Sequence, residues 1–301
     1  MARWILRGSV AVCLLALATL APACGASADG AQGSGRISVV AAENFYGDIA
    51  AQLGGPYVSV TSILSDPNAD PHLFEPGTAN AAAVAEARLV VDNGLGYDAF
   101  MDRLLSASRN ARRFVVTVAD VLGISGADAN PHIWFDVPRV PEMAKAIADG
   151  LSTVDPPHRA FFQDRLSTFD ASLRPLEDAV AGIKASNGGA AVAYTEPVPG
   201  YLLEAAGLVV RTPADFSRAI EEGSDPSPQA VAAMEGLFTE GQVRVLLYNS
   251  QATSPITDRI RELAQQHEIP IVPVTETLPK GQSFQQWQLA QIQSLARALG
   301  S

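Results

Sequence analysis

From about residue 36 onward, short apolar runs alternate with stretches of helical spacing, and this alternation is interrupted only once. From Pro156 to about Ser186 the periodicity is helical, with no strand-like run inside it. Before that stretch, the β-branched runs 37–42, 57–64, 88–91 and 113–118 predict buried strands, and 44–53, 78–87, 97–106 and 141–151 predict helices. After it, strands are predicted at 190–194, 208–211, 243–248 and 270–274, and helices at 200–206, 227–238, 257–267 and 283–299. Strands separated by helices predict parallel sheets covered on both faces. The middle stretch predicts one long helix. Pro156-Pro157 suit its first turn and Asn187-Gly188-Gly189 its end, and about thirty helical residues extend ~45 Å. Pro175 lies inside it and predicts a kink. The expected fold is therefore α/β: two lobes of parallel sheet with flanking helices, at 36–155 and 188–301, joined by one long bridging α-helix at 156–187.

Composition agrees with a packed fold. With 48% hydrophobic and 18% charged residues among 301, the chain is excluded from the disordered class. A net charge of −11 argues against nucleic-acid binding, which needs a basic face. The first residues stand apart from the fold. Arg3 and Arg7 precede an apolar run, 10–21, shorter than the roughly 20 residues a membrane span requires. This is the pattern of an export signal. Ala21-Pro22-Ala23-Cys24 permits two outcomes: an ordinary signal-peptidase cut after the small-x-small triplet, or lipidation of Cys24 at the new N-terminus, as in bacterial lipoproteins. The second is preferred because Cys24 has no other evident use, which makes 1–23 the signal. Residues 24–35, rich in Gly, Ala and Ser, read as a flexible tether. The expected location is the outer face of the cytoplasmic membrane, by a lipid anchor, or the periplasmic space.

In open α/β sheets, ligands bind just beyond the carboxyl ends of the strands. Asp70-Pro71-His72-Leu73-Phe74-Glu75-Pro76 follows the second predicted strand, and Asn130-Pro131-His132-Ile133-Trp134-Phe135-Asp136 follows the fourth. In the second lobe, Glu196 follows the first strand and Glu276 the last. His72, His132, Glu196 and Glu276 thus stand at equivalent points, two per lobe, as a site in an interlobe cleft requires. Two neutral imidazoles and two carboxylates leave a charge of about −2 that a divalent cation neutralises. Mixed nitrogen and oxygen donors suit Zn²⁺, Mn²⁺ or Fe²⁺ and argue against Ca²⁺, which prefers oxygen alone. Asp70, Glu75 and Asp136 are candidates to orient the imidazoles from behind, or to cap turns. His158 and His267 fall near helix ends and read as surface residues.

The segments Ala41-Ala42-Glu43-Asn44-Phe45-Tyr46-Gly47, Asp70–Pro76, Asn130–Asp136, Glu196-Pro197-Val198-Pro199-Gly200-Tyr201 and Val274-Thr275-Glu276-Thr277 resemble, in order, those of the metal-binding solute-binding proteins of bacterial zinc and manganese ABC importers. The similarity spans essentially residues 36–301. It implies two lobes on a rigid helix, Zn²⁺ or Mn²⁺ as the transported ligand, and an ABC permease with its ATPase as partners of a monomer. It also implies that the protein is not an enzyme. Two departures stand out: Glu276 occupies a position where Asp is usual, and the short segment between Val118 and Asn130 lacks the His-rich loop of some zinc members. The resemblance to the zinc branch puts Zn²⁺ first and Mn²⁺ second. Two other readings use the same residues: a metal-dependent hydrolase with an open coordination position, and a surface adhesin or metal-buffering lipoprotein with no transporter.

Overall fold

The computed structural model describes residues 35–67 and 71–300. The export signal, Cys24, the tether up to residue 34, and Asp70 lie outside the described residues. The first sheet contains β1 (Ile37–Glu43), β2 (Val58–Leu64), β3 (Leu89–Asp92) and β4 (Phe114–Thr117), all parallel, in the order β2-β1-β3-β4. The second contains β5 (Ala191–Tyr194), β6 (Val209–Val210), β7 (Leu246–Asn249) and β8 (Ile271–Val274), again parallel, in the order β6-β5-β7-β8. The two sheets repeat one topology. In each, the strand order reverses direction between the first and third strands, which is where open α/β sheets form ligand crevices.

The long helix is present and broken where proline predicts. It runs as Arg159–Ser172 and Arg174–Asn187, hinged at Leu173 and preceded by a 3₁₀ turn at Pro156–His158. Pro175 has no N–H to offer the carbonyl one turn back, and its ring crowds that carbonyl. Every strand and helix predicted from the spacing has a counterpart, with ends shifted by a few residues. The helix Ala214–Glu221 is additional. Phe216 and Ile220 stand four apart in it, but eight residues make a short apolar pattern.

The lobes share one core. A single cluster of buried side chains joins Val39, Val91 and Trp134 with Val192, Leu247 and Val274, and includes Leu166 and Ile183 of the long helix. At its centre, Phe45 stacks on Trp134 (4.5 Å between ring centroids) and on Trp287 (5.9 Å). Phe45 lies in the first helix and Trp287 in the last, Phe284–Leu299. Polar bonds reinforce this seam. The Asn44 amide donates to the Leu278 carbonyl (2.8 Å) and accepts from its N–H (2.9 Å), and Asp48 accepts from the Phe284 N–H (2.8 Å).

A shared core predicts that the lobes unfold together. Denaturant titration of the whole chain should give one transition, and Trp287→Ala should lower its stability by about 3–5 kcal/mol. Two separable transitions, only one of them moved by the substitution, would contradict the shared core.

Candidate metal centre

Each predicted donor stands past a strand's carboxyl end. His72 lies in a 3₁₀ turn, Pro71–Leu73, after β2; His132 immediately precedes another, Ile133–Phe135, after β4. Glu196 and Glu276 lie two residues beyond β5 and β8. The structure gathers three of the four in one cluster, and His132 adjoins it through Glu276. His72, Glu196 and Glu276 each place a donor atom within 4.8 Å of the other two. His72 Nε2 is 3.9 Å from Glu196 Oε1 and 3.8 Å from Glu276 Oε1, and His132 Nε2 is 3.2 Å from Glu276 Oε2. Donors bound at about 2.1 Å to one ion lie ~3.0–3.4 Å apart, so the Glu276–His132 pair already has that spacing and the two His72–carboxylate pairs exceed it by about half an ångström. Glu276 turns one oxygen to each histidine, Oε1 to His72 and Oε2 to His132.

His132 has a defined tautomer. Its Nδ1 lies 2.8 Å from Asn130 Oδ1, while the Asn130 amide nitrogen donates to the Pro197 carbonyl (2.8 Å). That second bond fixes the amide's orientation, so Nδ1 carries the hydrogen and Nε2 faces the site. Gly200 makes the approach possible: a Cβ there would lie 2.7 Å from the Asn130 amide nitrogen. Tyr201 Oη donates to the Asn130 carbonyl (3.0 Å). The turn carrying Glu196 is thus the seat on which the His132 loop rests.

The site's charges hold one another. His132, Glu196 and Glu276 are essentially inaccessible to solvent, while the His72 side chain is 23% exposed. Burial alone would lower the His132 pKa, but the Glu221 and Glu276 carboxylates outweigh it and hold it above the ordinary value. Burial alone would raise Glu276, but His132, His72 and Asn249 outweigh it and hold Glu276 below the usual carboxylate value. Both shifts favour a proton on Nε2, which faces Glu276 Oε2 at 3.2 Å.

Four further residues complete the setting. Asn249, at the end of β7, donates its amide to both Glu196 Oε2 and Glu276 Oε1, the latter at 2.7 Å. Tyr97 Oη donates to Glu276 Oε2 across the cleft (3.0 Å). It is delivered by the loop Asn93-Gly94-Leu95-Gly96, in which Gly94, Leu95 and Gly96 all have positive φ and Asp98 accepts from the Asn93 and Gly94 N–H groups. Gln251 accepts from the Thr277 N–H (3.1 Å) and donates to the Pro67 carbonyl (2.8 Å), tying the Glu276 loop to the segment before His72. Glu221, the last residue of Ala214–Glu221, brings Oε1 to 3.8 Å from His132 Nε2. Of the predicted orienting acids, Asp70 lies outside the described residues, and neither Glu75 nor Asp136 is the partner of the His132 imidazole. Asn130 takes the position at the His132 imidazole, while Asp136 is half-buried near Arg139. Glu75 is exposed and, among the described residues, makes no hydrogen bond or ion pair: its turn points it to water rather than to His72. His158 pairs with Asp155 (2.7 Å) and stacks on Tyr57, and His267 is exposed; both are remote from the centre. A cavity of about 260 Å³ opens beside His72 and Glu196, lined also by Ile220, Pro226 and Ser254.

Comparison with known proteins agrees with this architecture. The manganese-binding lipoprotein MntA of Halalkalibacterium halodurans is 27% identical over 168 residues, covering 55% of this chain and 56% of that protein. The zinc-binding protein TroA of Treponema pallidum is 26% identical over 179 residues, covering 58% of each. The chain therefore spans a little over half the length of these curated relatives. Among solved structures, the periplasmic zinc-binding protein TroA from Treponema pallidum superposes with a TM-score of 0.76 at 20% identity, over 88% of this chain and 99% of that one. A manganese-bound periplasmic metal-binding protein from Candidatus Liberibacter asiaticus gives 0.71 at 16% identity, with the same coverage. Residues 39–298 match the family described as the periplasmic component A of zinc-uptake complexes, and the chain belongs to that family.

Proposed function

We propose that the protein captures one divalent transition-metal ion, Zn²⁺ or Mn²⁺, outside the cytoplasm and hands it to an ABC permease and its ATPase. The observation that carries this reading is the convergence of His72, His132, Glu196 and Glu276 from both lobes, with Glu276 turned toward both histidines. The ion is cargo. Its donors are held ready by neutral partners: Asn130 sets the His132 tautomer, and Asn249 and Tyr97 aim the carboxylates. Such outer partners position the donors before the ion arrives. The shared core and the Asn44–Leu278 pair oppose wide opening, so uptake and release call for local loop movement. The exposed edge of His72 beside the cavity is the natural entrance. Lipidation at Cys24 and the tether to residue 35 would keep a monomeric body beside the permease; the lobes are read as 36–155 and 188–301 about the helix 156–187.

Loss of an outer partner typically costs 10–100-fold in metal affinity. His72→Ala and His132→Ala should each therefore weaken Zn²⁺ and Mn²⁺ binding by more than about 100-fold in calorimetry, with an unchanged circular dichroism spectrum. Full affinity in either variant would remove that residue from the site.

Metal must displace the proton on His132. Because that imidazole is held above its ordinary 6.5, affinity should already be falling as pH drops from 8 toward 6.5. The metal-free fold behaves oppositely: the raised pKa contributes stability that is fully present below 6.5 and lost as pH rises through the folded value. Titrations in buffers of different ionisation enthalpy should show proton release on binding. An affinity flat from pH 8 to 6, with no proton released, would contradict this coupling.

A further inference from the structure

We propose that Glu221 is a fifth protein donor to the captured ion, and that its carboxylate biases the site toward Mn²⁺ relative to Zn²⁺. The inference rests on the capture reading above and specifies its cargo.

Distance is the first ground. Glu221 Oε1 lies 3.8 Å from His132 Nε2, the same separation as that between His72 and Glu276 in the four-residue set. Fold symmetry is the second. His72 follows β2, the edge strand of the first sheet, and Glu221 follows β6, the corresponding edge strand of the second. His132 and Glu276 likewise follow the corresponding strands β4 and β8. With Glu221 included, the corresponding edge strands of both sheets each lead to a residue whose side chain pairs with another of the four.

The third ground is the cost of holding a carboxylate there. Glu221 ends a helix, where the backbone dipole presents negative partial charge and disfavours an anion. Its side chain is only 19% exposed, and its Oε2 is buried with no hydrogen-bond partner among the described residues. Arg218, one turn back, pairs with Asp128 (3.3 Å). A buried oxygen left without a partner is destabilising, and a cation beside His132 would offset that cost. The neighbouring cavity, bordered by Ile220 and Gly223, gives the end of this helix room to move inward.

The chemistry then follows from donor number and type. Two imidazoles and three carboxylates exceed the four donors of a tetrahedral zinc site. Oxygen-rich, higher-coordinate shells suit Mn²⁺, which otherwise loses to Zn²⁺ at most nitrogen–oxygen sites. Glu221 would narrow that disadvantage.

The test is competition between Mn²⁺ and Zn²⁺ on the full chain, comparing wild type, Glu221→Gln, Glu221→Ala and His72→Ala. Both Glu221 variants should weaken Mn²⁺ by roughly tenfold or more and Zn²⁺ far less, so that the Zn²⁺/Mn²⁺ affinity ratio rises. The electron paramagnetic resonance spectrum of bound Mn²⁺ should change with it. An unchanged ratio and spectrum in both variants would overturn the role of Glu221, even if both affinities fell together. If His72→Ala abolishes binding in that case, the capture reading stands without the fifth donor; if His72→Ala binds both metals normally, the capture reading itself fails.

Discussion

The aromatic stack that runs from Trp134 through Phe45 to Trp287 holds the molecule together as one body. It joins the loop after β4, the first helix and the last helix, so the element carrying His132 and the element behind Glu276 pack on the same ring. Trp287 also donates its indole N–H to Thr275 Oγ1 (2.9 Å), immediately before Glu276. Packing and coordination geometry are thereby coupled. A side chain that fills the core also places a donor.

That coupling explains how charged groups can be buried at the seam. Carboxylates removed from water are costly unless paired and hydrogen-bonded. Here Glu276 accepts from Asn249 and Tyr97 and faces both histidines, so its charge is shared before any ion arrives. The proton on His132 stands in for part of a metal's charge. On the proposed reading, a divalent ion would replace that proton, and the shared core would confine the resulting change to the loops around the cleft. A permease would have to sense a local change of this kind, since the shared core leaves little room for a large rotation of the lobes.

Much of this was legible in the sequence. Alternating strands and helices define parallel sheets, Pro175 marks the break in the long helix, and histidines next to prolines just past strand ends mark two loops that reach Glu276. What was not legible depends on contacts between distant segments. Asn249 and Gln251 are ordinary polar residues after a strand, and nothing local says that they meet Glu196 and Glu276. Tyr97 reaches the cleft only because three successive residues adopt positive φ. Asp136 is a candidate from sequence to orient an imidazole. A 3₁₀ turn carries it away, and Asn130, two residues before the histidine, is the partner instead. Glu221 sits at the end of a helix too short to declare itself by periodicity.

The central claim is that donors from both lobes meet on one ion. Anomalous diffraction from crystals of the metal-loaded protein, recorded on both sides of the metal's absorption edge, addresses it most directly. The account predicts a single strong peak in the cleft, within bonding distance of His72, His132, Glu196 and Glu276. A peak bound by one lobe alone, or one lying elsewhere with these four side chains apart, would contradict it.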